Sequence, residues 1–157
     1  MHVCRIPHTP ANDHPTAPAL TPSAYLTLRR KAAGYTIEQL AKALVMVGLH
    51  GRDRPNLEEL RALQHRTRDQ VALFERPGAL IRVVDTLHLI ESVMPFDPAV
   101  YRQLADTPAD RHPRICRSCG CSGHDPCITD NHVCEWVSDE ACSHCVDRAA
   151  GAAKVAA

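Results

Sequence analysis

Residues 21–44, TPSAYLTLRRKAAGYTIEQLAKAL, carry the start and stop signals of two consecutive helices. Thr21, followed by a proline, is typical of a helix N-cap, and Gly34 is typical of the residue that ends a helix. Thr36 and Gln39 then form a capping box for a second helix. The apolar residues that recur at helical spacing after this box are Ile37, Leu40, Ala41, Leu44 and Val45. This stretch predicts a mainly α fold.

The sequence that follows predicts further helices. Residues 57–66 carry leucines at helical spacing, and Thr67 can cap a separate short helix that ends at the next Pro-Gly pair. Residues 79–94, ALIRVVDTLHLIESVM, predict a long apolar helix, and Asp97 caps a last one. The residues expected on the buried face of the long helix are Leu80, Val83, Val84, Leu87, Ile90 and Val93. Together these segments predict a small helical domain over residues 21–106.

Proline, cysteine and alanine content mark the boundaries of the other segments. Residues 1–20 contain four prolines and little apolar sequence, which predicts a flexible arm. Residues 107–114, TPADRHPR, form a polar linker, so we expect the modules on either side to be separable. A Cys-rich module over 115–147 and an Ala-rich tail over 148–157 complete the chain.

Composition excludes several classes of protein. The 157 residues contain 18 basic and 18 acidic side chains, which argues against a globally basic nucleic-acid coat protein and against an acidic tail protein. The charge is uneven, with five basic and two acidic residues in 1–48 but two basic and five acidic in 77–110. Six aromatic residues are too few for a large single-strand stacking platform. No apolar run approaches the ~20 residues of a membrane span, and the N-terminal sequence lacks the apolar core of a signal peptide. We therefore expect a cytoplasmic protein.

Seven of the eight cysteines fall between Cys116 and Cys145. Clustered cysteines in a reducing compartment usually hold a metal, and the odd number argues against a disulfide framework. Cys116-x-x-Cys119-Gly120 has the form of a zinc knuckle, and Cys142-x-x-Cys145 supplies a second pair of thiols. These four thiolates suit a tetrahedral zinc ion in a small knuckle-like or ribbon-like module.

The same segment leaves room for a second zinc ion. Its fourth ligand would be His132 or His124, and its thiols would be Cys121, Cys127 and Cys134. Alternatively these cysteines are small buried residues, with Cys134 in the core beside Trp136. Cys4 is expected to be a free thiol. A closed all-thiolate site is normally structural, and the H-x-E and P-C-x-x-C pattern of nucleobase deaminases is absent, so we expect no enzymatic activity.

Residues 28–41 resemble the opening of a Cro/Xre-type helix-turn-helix domain. The matching residues are Leu28-Arg29-Arg30, Gly34-Tyr35-Thr36 and Glu38-Gln39-Leu40-Ala41. A segment similar to the family's recognition helix follows at Thr67–Gly78, after an insertion at 48–66. The layout also resembles that of phage and mobile-element proteins that begin T-P-x-x-Y-L-x-x-R-R-x-x-A-G and end in a Cys-rich module with a C-G-C start.

This resemblance implies a transcriptional regulator that binds double-stranded DNA. Arg68 and Gln70, in the first turn of the expected recognition helix, would read base edges. The expected phosphate contacts are Arg29, Arg30, Lys31, Arg52 and Arg54. The alternative is a zinc-dependent adaptor that binds another protein and whose helical domain does not bind DNA.

Overall fold

The computed structural model describes residues 18–129 and 132–155, so Cys4 and residues 1–17 of the expected arm lie outside the described residues. The described part is mainly helical. Its helices are α1 (Pro22–Ala32), α2 (Ile37–Gly48), α3 (Leu57–Phe74), α4 (Val84–Glu91), α5 (Pro98–Asp106) and α6 (Ser143–Val155). Its short strands are β1 (Ile128–Thr129), β2 (His132–Val133), β3 (Trp136–Ser138) and β4 (Ala141–Cys142). None of the described helices is long and apolar enough to cross a membrane.

The predicted helix starts are confirmed where the capping signal is local. The Thr21 hydroxyl accepts a hydrogen bond from the backbone N–H of Ala24 at the start of α1. Thr36 and Gln39 make both bonds of the capping box at the start of α2, at 3.1 and 2.8 Å. Asp97 caps α5 as expected. Each signal acts within a few residues of chain, which is why the sequence alone sufficed.

The helix predicted to start at Thr67 is wrong, because residues 57–74 form one continuous helix. Its start is a capping box between Asn56 and Glu59, and Thr67 lies inside it. No proline or glycine occurs between 57 and 74 to interrupt the hydrogen-bond ladder. The helix therefore has no N-terminus near Arg68, and the expected separate recognition helix is absent from the described chain.

The long helix predicted over 79–94 is also wrong, since only α4 is helical there. Residues 79–83 run outside any helix, and the backbone N–H of Ile81 donates instead to the Tyr101 hydroxyl at 2.9 Å. This turns Val83 and Val84 outward, where they are 59% and 46% exposed, although Leu87 and Ile90 are buried as expected.

The helical core lies between α1, α2, α4 and α5, with the α2–α3 hairpin packed along one side. Its fully buried large side chains include Tyr25, Leu26, Leu40, Leu87, Ile90 and Tyr101. Phe96 joins the two tyrosines, with ring centroids 5.2 Å from Tyr25 and 5.8 Å from Tyr101.

The Cys-rich module packs against the helices. The segment 107–114 contains a short 3₁₀ turn, Ala109–Arg111, and the Gln103 side chain of α5 donates to the Arg111 carbonyl at 2.7 Å. Ile115, the first residue after this segment, is 6% exposed and belongs to the helical core. These contacts join the segment 107–114 and Ile115 to the helices, and the separability of the two modules stays a prediction.

Candidate metal centre

A tight turn presents the first group of cysteines. The Gly120 N–H donates to the Cys116 carbonyl at 2.8 Å, and the Cys116 N–H donates to the Cys121 carbonyl at 2.9 Å. Gly120 has a φ of 76°, a left-handed conformation that favours glycine. A Cβ at this position would also lie 2.9 Å from Arg29 Cδ and 3.0 Å from Leu28 Cβ. Glycine is thus required both by the turn and by the close approach of α1.

Two short antiparallel hairpins present the other cysteines. The β1–β2 hairpin is closed at its base by the Cys134 N–H, which donates to the Cys127 carbonyl at 2.9 Å. In the second hairpin, Cys142 pairs with Trp136 across β3 and β4. Helix α6 begins at the next residue, so Cys145 lies in its first turn.

The thiols meet in one cluster. Cys116, Cys119, Cys121 and Cys142 are buried, Cys127, Cys134 and Cys145 are partly buried, and all seven are unpaired by disulfides. Two sets of four, Cys116, Cys119, Cys121 and Cys142, and Cys121, Cys127, Cys134 and Cys142, have all their sulfur atoms within 4.8 Å of one another. Cys119, Cys121, Cys127 and Cys142 meet the same limit, because the sulfur atoms of Cys119 and Cys127 are 3.4 Å apart. In a tetrahedral zinc site with Zn–S bonds of about 2.3 Å, sulfur atoms are about 3.8 Å apart, so either set could hold a metal ion.

The structure groups these cysteines differently from the sequence prediction. Three of the four thiols expected at the first site meet, but Cys121 takes the place of Cys145 in that set. Cys145 remains adjacent and packs against the buried cysteines. At the expected second site the three thiols meet as predicted, with Cys142 as the fourth in place of His132, which is exposed.

Electrostatics shows why a cation suits this cluster. Hydrogen bonds, first from the Cys121 thiol and then from Cys127 and Cys145, lower the pKa of Cys119 to about 4. Burial, followed by the hydrogen bond and charge of Cys119, raises the pKa of Cys127 to about 12, and burial likewise raises that of Cys145. One thiolate therefore suppresses the ionisation of its neighbours. A bound metal ion removes this conflict, because it stabilises several thiolates at once.

A buried cation of α1 joins this cluster to the helices. Arg29 is 3% exposed, and its Nε lies 3.0 Å from Asp125 Oδ2 and 2.9 Å from the Pro95 carbonyl. Its other nitrogens face the carbonyls of Cys119 and Asp125, at 3.5 and 3.3 Å. The Tyr25 hydroxyl donates to the same carboxylate at 2.9 Å. Burial and the charge of Asp125 raise the pKa of Tyr25.

Arg29 and Arg30 are not available to bind phosphate, which corrects the sequence interpretation. Arg30 is 7% exposed and makes a bidentate pair with Glu75 at 2.5 and 2.7 Å, while also donating to the Tyr35 carbonyl. Guanidinium groups that are buried and hydrogen-bonded to protein atoms in this way are not presented to a phosphate. The two adjacent arginines of α1 therefore have a structural role.

The other predicted DNA contacts remain at the surface. Lys31, Arg52 and Arg54 are exposed. The Arg68 side chain is 43% exposed and pairs with Asp69 at 2.7 Å, and Gln70 is exposed in the following turn.

Sequence reasoning missed a row of basic side chains on α3. Arg61, His65 and Arg68 follow one another at spacings of four and three residues, so they share a helix face. His65 and Arg68 lie near the start of α2, where their charges contribute to lowering the pKa of Glu38 after its hydrogen bond from Lys42. The spacing was visible, but it has meaning only when residues 57–74 are one helix.

Comparisons with protein-family models, with curated proteins and with solved structures found no match to this chain. The chemistry of the cysteine cluster and of the basic face is therefore the guide to its function.

Proposed function

We propose that this chain is a zinc-stabilised, non-enzymatic regulator that binds double-stranded DNA. The observation that carries the proposal is the convergence of the cysteine thiols into one cluster beside the helical core. A cluster made entirely of sulfur favours zinc among the common metals of a tetrahedral site.

The surroundings of the cluster support a structural role for the metal. Four thiolates fill the coordination of zinc and leave no position for a reacting water. Asp125, an acidic side chain close to the cluster in sequence, is held by Arg29, Tyr25 and Ser122. A carboxylate fixed in this way positions the module and is not free to act as a general base.

Elemental analysis of the purified full chain tests the metal. We expect at least one zinc ion per chain, which a chelator removes only as the Cys-rich module unfolds, because ligation supplies stability that so small a module lacks. Less than half an equivalent of zinc or iron would refute the metal part of the proposal.

The DNA part is supported by the basic face of the α2–α3 hairpin. Arg61, His65 and Arg68 form a row on α3, in which Arg68 pairs with Asp69, and on α2 Lys42 pairs with Glu38. The connection between the two helices adds Arg52 and Arg54, both exposed. Cations spread along one face are typical of phosphate contacts.

Fluorescence anisotropy with a labelled duplex over a series of salt concentrations tests this face. Each phosphate contact adds about 0.9 to the log–log salt slope, so the double variant Arg61→Ala, Arg68→Ala is expected to lower the slope by about 2. Arg102→Ala, which removes an exposed arginine of α5, is the matched control and is expected to leave the slope unchanged. An equal slope for both variants would contradict binding at this face.

Base recognition by Arg68 is a separate part of this proposal, whereas Gln70, two residues further along α3, lies on another face of the helix. If Arg68 contacts a guanine, Arg68→Ala is expected to reduce discrimination between a selected and a scrambled duplex by roughly 1–3 kcal/mol. Equal losses on both duplexes would limit Arg68 to phosphate contact. No binding to any duplex at low salt would refute the DNA function and favour the adaptor.

A further inference from the structure

The two sets of four thiols are not separate. Both contain Cys121 and Cys142, which are completely buried. The sulfur atoms of Cys119 and Cys127, one from each set, are 3.4 Å apart, so they must separate to about 5 Å when each binds its own ion of a doubly bridged pair. The shared thiols therefore lie where two tetrahedral positions meet.

We propose that the cluster holds two metal ions, with the sulfur atoms of Cys121 and Cys142 bridging them. This inference rests on the proposed zinc function and adds its number of ions and its ligands. Cys116 and Cys119 complete the first ion, and Cys127 and Cys134 complete the second. Cys145 is not a ligand in this arrangement.

The thiols alone cannot complete two separate tetrahedral sites. Two separate tetrahedral ions need about eight ligands, whereas the cluster has seven thiols in the described chain. His124 and His132 are exposed, and neither belongs to a set of grouped ligands. A bridging thiolate serves both ions and so removes the need for an eighth ligand.

Distances and charge agree with shared sulfurs. One sulfur–sulfur distance in each set is 3.8 Å, from Cys119 to Cys142 and from Cys121 to Cys134, which suits a tetrahedral edge. Two separate four-thiolate zinc sites would together carry a charge of about −4, whereas two zinc ions with six thiolates carry about −2. Burial penalises excess charge, so the shared arrangement is favoured beside the completely buried thiols.

Cobalt(II) titration of the full chain tests the bridge. The metal is removed under reducing conditions without oxygen, and the chain is refolded with increasing cobalt(II). Isolated high-spin cobalt(II) gives a paramagnetic resonance signal, whereas two cobalt ions bridged by thiolate couple and lose it. We expect the signal to rise until one ion is bound per chain and to fall as the second binds.

Each other result has a defined meaning. A signal that rises in proportion up to two ions would overturn the bridge, because the sites would then be independent. Saturation at one ion would overturn the two-ion cluster and leave the proposed zinc function intact. Failure to bind zinc or cobalt at all would refute the zinc function itself.

Two serine variants identify the ligands. Cys134→Ser removes a thiol from the second set only, and we expect its zinc content to fall from two ions per chain to one. Cys145→Ser is the matched control, since it removes a neighbouring thiol outside both sets. We expect this variant to bind two ions, and we expect its cobalt(II) resonance signal to disappear at two ions as it does in the unaltered chain. An ion lost from Cys145→Ser would overturn the double bridge in favour of a seven-thiol cluster.

Discussion

Replacement of Arg29 by alanine removes the buried cation that joins α1 to the Cys-rich module. The guanidinium is 3% exposed, its partner carboxylate on Asp125 is 11% exposed, and their closest atoms are 3.0 Å apart. Removing one partner of a buried ion pair leaves the other charge uncompensated, at a cost of about 3–5 kcal/mol. Asp125 keeps hydrogen bonds from Tyr25 and Ser122, so we expect the lower value, about 3 kcal/mol.

Urea unfolding of the metal-bound chain, followed by circular dichroism, measures this loss. With a denaturant dependence of about 2 kcal/mol per M, the unfolding midpoint is expected to fall by about 1.5 M. Arg68→Ala is the matched control, because its pair with Asp69 is exposed and such pairs contribute about 0–1 kcal/mol.

Equal midpoints for the Arg29 and Arg68 variants would refute the reasoning, since they would show that Arg29 does not hold the two parts together. Weaker DNA binding by Arg29→Ala at unchanged stability would also show that Arg29 does not join α1 to the Cys-rich module. It would favour a phosphate contact, as the sequence first indicated.

Gly120→Ala is expected to destabilise the chain by about 1–3 kcal/mol, because the new Cβ would sit on a left-handed backbone and lie 2.9 and 3.0 Å from atoms of α1. Gly123→Ala is the control, since its Cβ would meet open space, and equal thermal midpoints for the two variants would contradict this prediction. Arg30→Ala is expected to lower the free energy of unfolding by about 3 kcal/mol through the unpaired Glu75, and a loss below about 1 kcal/mol in urea titration would contradict a buried pair. Chelation is expected to change the fluorescence of Trp136, the chain's single tryptophan, which packs against the cysteines, while α1–α5 keep most of the helical circular dichroism. Adding zinc back is expected to restore the original fluorescence of Trp136. Fluorescence that does not change on chelation would mean that no metal orders the module.

Local chemistry determined much of this fold. The caps at Thr21, Thr36 and Asp97 bond to backbone groups within three residues, so no distant part of the chain can change them. The Cys-x-x-Cys pairs likewise indicated a metal site, because tight turns bring such thiols together wherever they occur. A mainly α protein with a clustered-thiol segment could therefore be predicted from the sequence.

Tertiary structure decided the rest through contacts between distant residues. Residues 79–83 leave the predicted helix, and the backbone N–H of Ile81 donates to the hydroxyl of Tyr101, twenty residues away. The sequence indicated that Arg29 contacts DNA. In the structure Arg29 is buried because it pairs with Asp125, a residue 96 positions further along the chain that the sequence pattern does not connect with it. Cys121 takes the place of Cys145 among the buried thiols, and the turn at Gly120 that presents it packs against α1. Sequence spacing specifies which thiols can meet, whereas packing specifies which of them do.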